Sequence, residues 1–131
     1  MRKEVDQWWK QAKRDLQTAQ NCKNSKDYYA SAFFCQQSVE KALKALYIEK
    51  KRAAPSATHS LVYYATEVDA PSQFFTFLRR LTPEFVTTRY PDAAYGVPYE
   101  LYDEAIASEI LEKSREVIQW IASQIETSQT G

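Results

Sequence analysis

At 131 residues, 44% of them hydrophobic and 26% charged, the chain has the size and composition of one globular domain able to bury a real core. No apolar run approaches the roughly 20 residues that cross a bilayer, and charged, periodic sequence begins at Arg2, Lys3 and Glu4, so neither a membrane span nor a signal peptide is expected and a cytoplasmic protein is. Formal charge is zero, yet residues 1–52 hold twelve Lys and Arg against six Asp and Glu, and residues 53–131 five against eleven: either a basic face awaits an anionic partner, or basic and acidic helices pack side by side.

The first predicted element is an amphipathic helix from about Lys3 to Cys22, because Val5, Trp8, Ala12, Leu16 and Ala19 recur at spacings of three and four, with Trp9 widening the stripe. Asn21 to Lys26 is turn-like, and Asp27 offers an oxygen to cap the next helix. That second helix, near Asp27 to Lys51, carries an apolar line of Tyr28, Ala32, Cys35, Val39, Ala42 and Leu46, broadened by Phe33, Phe34 and Leu43. A stripe this wide implies burial against more than one neighbour. Its polar positions Gln36, Gln37, Glu40, Lys41 and Lys44 fall together, since residues three and four apart share a helix face.

Pro55 breaks a loop over residues 50–58. Short helices are predicted over 60–68 and 71–81, with Thr82 and Pro83 restarting a turn towards Thr88. Pro91 opens an irregular stretch through Tyr102, and the last helix runs from Asp103 to Ile125 along Ile106, Ile110, Val117 and Ile121, leaving 126–131 as a frayed tail. With no strand-like alternation and only two glycines, the expected fold is all-α: an up-and-down antiparallel bundle of three long and two short helices, forming one domain over residues 1–125. Cys22 and Cys35 fit apolar helix positions as buried free thiols, and with one histidine in the chain they make no plausible zinc set, so no metal or cofactor is expected. The aromatic excess, including nine Tyr, leaves room for a homodimer interface.

The chemistry-bearing residues are few. Two glycines exclude a Gly-rich nucleotide cradle, and no nucleophile elbow, zincin helix or EF-hand loop is present. Arg52 and His59, six residues between them, can cleave RNA without metal if the imidazole takes a ribose 2′-hydroxyl proton while the guanidinium holds the phosphate; alternatively His59 buttresses the adjoining helix. Arg79, Arg80 and Arg89, with Tyr90 and Tyr95, can grip phosphate and stack on a base, or else form ion pairs with Glu40 or Asp92.

Five segments in order resemble the HEPN domain family. Ala12-Lys13-Arg14-Asp15-Leu16 looks like its first-helix signature, and Cys35 through Ala45 (CQQSVEKALKA) is similar to its second-helix hallmark. His59-Ser60-Leu61 resembles its entry to the third helix, Arg89-Tyr90-Pro91-Asp92 the motif before the last helix, and Tyr102-Asp103-Glu104-Ala105 the start of that helix. The resemblance implies a helical bundle, commonly dimeric, often encoded beside a minimal nucleotidyltransferase as a two-component, toxin–antitoxin-like module. Many relatives are RNA-cleaving toxins that use an Arg followed shortly by a His. This chain departs from that pattern: no His follows Arg89, Tyr95 stands where one is expected, and the Arg52–His59 pair sits in a different loop with Ala53 after the Arg. The resemblance therefore points to a non-catalytic protein binding a nucleotide or nucleic-acid phosphate, with Gln37, Glu40, Lys41, Lys44, His59, Arg89 and Tyr90 as the binding set. The rival readings are a metal-independent endoribonuclease using His59 with Arg52 or Arg89, and a purely structural dimeric adaptor.

Overall fold

The computed structural model describes the backbone of residues 1–130 and the side chains as far as Glu126. Its elements are α1 (Lys3–Asn24), α2 (Tyr28–Lys51), α3 (Leu61–Glu67), α4 (Phe75–Leu81), α5 (Glu84–Thr87), α6 (Pro91–Ala94) and α7 (Glu104–Thr130), with 3₁₀ turns over Ser72–Phe74 and Pro98–Leu101. The fold is all-helical, as the patterning requires, with α1, α2 and α7 as the long helices. No strand occurs, and no helix is long and apolar enough to cross a membrane, among the described residues.

The three-residue connection Ser25–Asp27 turns α1 back on α2, and their contact is the most extensive in the molecule, followed by that of α2 with α7. Ala12, Ala19, Ala32, Ala42 and Ala45 are fully buried, and small side chains let helix backbones approach closely. Ser38 Oγ donates to the carbonyl of Ala12 across that contact, 2.7 Å away. From Ser31 to Ile48, α2 buries residues on every side, polar ones included, which makes it the central helix.

Several details differ from the patterning. On α1 it is Trp9, with Val5, Ala12 and Ala19, that is buried, while Trp8 and Leu16 pack partly exposed, and Asp15 lies on the buried line. Asp27 stands at the N-cap position of α2 without capping it; its carboxylate accepts from Ser25 Oγ instead, at 3.0 Å. The stretch 91–102 is not irregular: α6 starts on Pro91, ends at Tyr95 in the left-handed region, and the 3₁₀ turn comes next on a buried Pro98. On α7 the buried side is Ala107, Ile110, Leu111, Val117, Ile118, Ile121 and Ile125, with Ile106 turned outward. The backbone is helical to Thr130, past the end of the apolar periodicity at Ile125, and Gly131 lies outside the described residues. Cys35 is buried as expected, whereas Cys22 is only half-buried.

The loop before α3 is held at both ends. Tyr64 Oη donates to the Ser56 carbonyl at 2.7 Å, and Ser60 Oγ caps α3 by accepting from the Tyr63 amide at 3.2 Å. His59 is thereby fixed over the middle of α2.

Candidate functional site

The polar side of α2 is a connected chain of hydrogen bonds centred on Glu40. Gln36 Nε2 donates to Glu40 Oε1 at 2.8 Å, and Lys44 Nζ to Glu40 Oε2 at 2.8 Å. Gln37 Nε2 donates to Gln36 Oε1 at 2.7 Å, Lys41 Nζ reaches Gln37 Oε1 at 3.3 Å, and Lys41 is ion-paired with Asp15 of α1. Gln11 Nε2 completes the chain by donating to Asp15 Oδ1 at 3.0 Å. The order arises from helix geometry: 36, 37, 40, 41 and 44 are three and four apart, and α1 lies close enough for its one buried carboxylate to meet Lys41.

Glu40 is buried, and burial pushes its carboxyl pKa up; the hydrogen bonds from Lys44 and Gln36, the Lys44 charge and the bond from His59 outweigh this and hold it below the usual range. Lys44 is also buried, with Nζ 5.3 Å from the centre of the Trp8 ring and 5.7 Å from that of Tyr64. It neutralises the carboxylate from within the fold.

His59 Nδ1 lies 3.2 Å from both Glu40 oxygens. An ionised carboxylate only accepts, so Nδ1 carries the proton and donates. The His59 side chain is 52% exposed and its ring stacks on Phe85 of α5, centroids 4.5 Å apart. Arg89, just beyond α5, donates from Nε to the Phe85 carbonyl, and its guanidinium lies 5.4 Å from the Phe33 ring centre and 5.2 Å from that of Tyr90. Arg89 and Tyr90 are exposed, and Arg89 forms no ion pair among the described residues.

Gln37, Glu40, Lys41, Lys44 and His59 thus form one network, with Arg89 and Tyr90 joined to it through Phe85. Arg52 stands apart. It ends α2 in the left-handed region and lines a pocket of about 310 Å³ with Arg2, Glu4, Trp8 and Pro55, a lining that does not include His59. Nor do the arginines pair with Glu40 or Asp92: Arg80 meets Glu109 at 3.3 Å, and Glu40 is occupied by Lys44, Gln36 and His59. Several members of the arrangement are absent from the sequence-derived binding set. Gln36 was legible from its face and Asp15 from the first-helix signature, while Phe33 read as part of the apolar side of α2 and Phe85 carried no signal beyond an aromatic near a helix.

The sequence matches the HEPN domain family over residues 5–125, almost the whole chain. The chain belongs to the HEPN family. Among solved structures, this HEPN domain is similar to TT1696 from Thermus thermophilus, with a TM-score of 0.84 and 26% identity over 94% of this chain and 99% of that one. It is similar also to ST0689, described as an archaeal HEPN homologue, with a TM-score of 0.80 and 33% identity over 95% and 99% of the two chains. No curated protein matches in sequence. Four of the five segments that resemble the HEPN signatures meet at the site: Asp15 on α1, Gln36 to Lys44 on α2, His59 before α3 and Arg89 after α5.

Proposed function

We propose that this HEPN protein binds a nucleotide or a nucleic-acid phosphate at the face shared by His59, Arg89 and Tyr90, without catalysing a reaction on it. It acts as a cytoplasmic homodimer beside a minimal nucleotidyltransferase in a two-component, toxin–antitoxin-like module. The observation that carries the ligand reading is that two exposed nitrogen-bearing side chains meet at one residue: His59 stacks on the Phe85 ring while Arg89 bonds the Phe85 backbone carbonyl. Asp15 offsets Lys41 and Glu40 offsets Lys44, so of these three site cations Arg89 is the one in no ion pair among the described residues, and a planar guanidinium fork suits phosphate. Tyr90 offers a face for a base beside it. Gln37 and Lys41 border the ligand, and Glu40 and Lys44 support it from beneath.

Calorimetry with a nucleotide panel and short RNAs tests this reading. Binding below millimolar is expected, weakened about tenfold or more by Arg89→Ala, since a charge-assisted hydrogen bond contributes about 1.5–3 kcal/mol. No binding across the panel refutes it. Sedimentation of the wild type tests the homodimer.

One observation favours a second reading. A carboxylate that orients a half-exposed imidazole through one ring nitrogen is the arrangement of an oriented general base, and here Glu40 holds His59 in that manner. As a metal-independent endoribonuclease, the protein would use His59 to take the 2′-hydroxyl proton and Arg89 to hold the phosphate. RNA cleavage in EDTA that His59→Ala abolishes supports it; equal activity in both removes His59 from the mechanism.

A further inference from the structure

Residues 90–112 contain six carboxylates, Asp92, Glu100, Asp103, Glu104, Glu109 and Glu112, and no Lys, Arg or His. The same stretch displays a concentration of exposed apolar side chains. Tyr95 is 96% exposed and Tyr99 63%, with Val97, Leu101 and Ile106 between 39% and 47%. An apolar cluster of this size on a folded surface marks an interaction site more often than chance exposure.

The segment is built to hold these side chains outward. Pro98 is buried, and Tyr102 Oη bonds Glu84, which ties the turn to α5. Leu101 folds over Gly96, where an added Cβ would come within 3.3 Å of it. Tyr95 sits at φ 56°, a left-handed conformation unfavourable for a non-glycine residue, and its ring gains no packing in return. Strain that serves only to present an aromatic to solvent is explained by a partner that buries it.

Charge selects the partner. Asp92, Glu100, Asp103 and Glu104 are exposed and in no ion pair among the described residues. Pairing this surface with its own copy, or with nucleic acid, would set like charges together, whereas a cationic surface would be attracted and held in register. We propose that the surface from Asp92 to Ile106 docks a protein partner through a basic, apolar segment. The surface begins two residues beyond Tyr90 of the phosphate site but shares no residue with it, and Arg89→Ala separates the two readings.

The test uses a fluorescein-labelled amphipathic Lys/Leu peptide as probe and a Glu/Leu peptide of equal length as control, monitored by anisotropy at low and high salt. The Lys/Leu peptide is expected to bind and to shift amide resonances of residues 92–106. Tyr95→Ser/Val97→Ser/Tyr99→Ser and Asp92→Asn/Glu100→Gln/Glu104→Gln should each weaken it by about tenfold or more, as loss of a hot-spot cluster or of its charge complement does. Arg89→Ala should leave it unchanged. Equal binding of both peptides, or no loss in either triple variant, overturns the proposal. So does a wild-type dimer that the Tyr95/Val97/Tyr99 variant dissolves, because the surface would then pair with itself.

Discussion

Glu40 is the residue on which the site depends. It accepts from Lys44, Gln36 and His59 at once, and its neighbour Lys44 is buried. Removing the carboxylate charge strands that ammonium, so Glu40→Gln is expected to destabilise the fold by about 3 kcal/mol, the lower end for breaking a buried pair because His59 keeps one side of the site wet. Urea unfolding measures it. Because the Glu40 pKa is lower in the folded state than in the unfolded one, its contribution is complete above the unfolded carboxylate value, near about 4.3, and is lost as pH falls through the folded value. Wild type and Glu40→Gln should therefore differ most at neutral pH and converge in acid. Cys35, whose thiol burial pushes up to about 12, should react with a thiol reagent only on unfolding.

At the scale of elements, the long helices were legible in the sequence because apolar spacing decides them, and so was the polar face of α2. What spacing hid were the places where a polar side chain is buried or a turn is made without its usual residue. Asp15 occupies an apolar position on α1 because Lys41 of α2 meets it there, a long-range fact that no window of α1 contains. The region 91–102 read as a loop because Pro91, Gly96 and Pro98 break long helices, yet the same prolines begin single turns. With glycine so scarce, the connections use Lys26, Arg52, Asp69 and Tyr95 at positive φ. At exposed Lys26, φ 68°, glycine removes the left-handed penalty at some cost in chain entropy, so Lys26→Gly should stabilise by about 0.5–1 kcal/mol. A lower unfolding midpoint in the variant would mean that this turn bears no strain.

At the scale of the molecule, the unequal charge distribution has a structural sense. The ion pairs Lys10–Asp6, Lys41–Asp15 and Lys44–Glu40 lie within the basic part, Arg80–Glu109 and Lys113–Glu109 within the acidic part, and Lys51–Glu67 joins the two. A basic first part and an acidic second part suit one face for phosphate and another for a cationic partner. Nucleotide affinity should accordingly fall as salt rises, because exposed charges are screened over about 10 Å at roughly 0.1 M; affinity insensitive to salt would place the ligand elsewhere. The most direct test of phosphate binding at this face uses the single histidine of the chain, whose ring nitrogens give unambiguous NMR signals. Free protein should show His59 protonated at Nδ1, and titration with a 5′-nucleotide should shift its ring signals in wild type and fail to do so at the same concentrations in Arg89→Ala. A ring bare at Nδ1, or a His59 signal unmoved by nucleotide up to millimolar concentration, would contradict that binding mode.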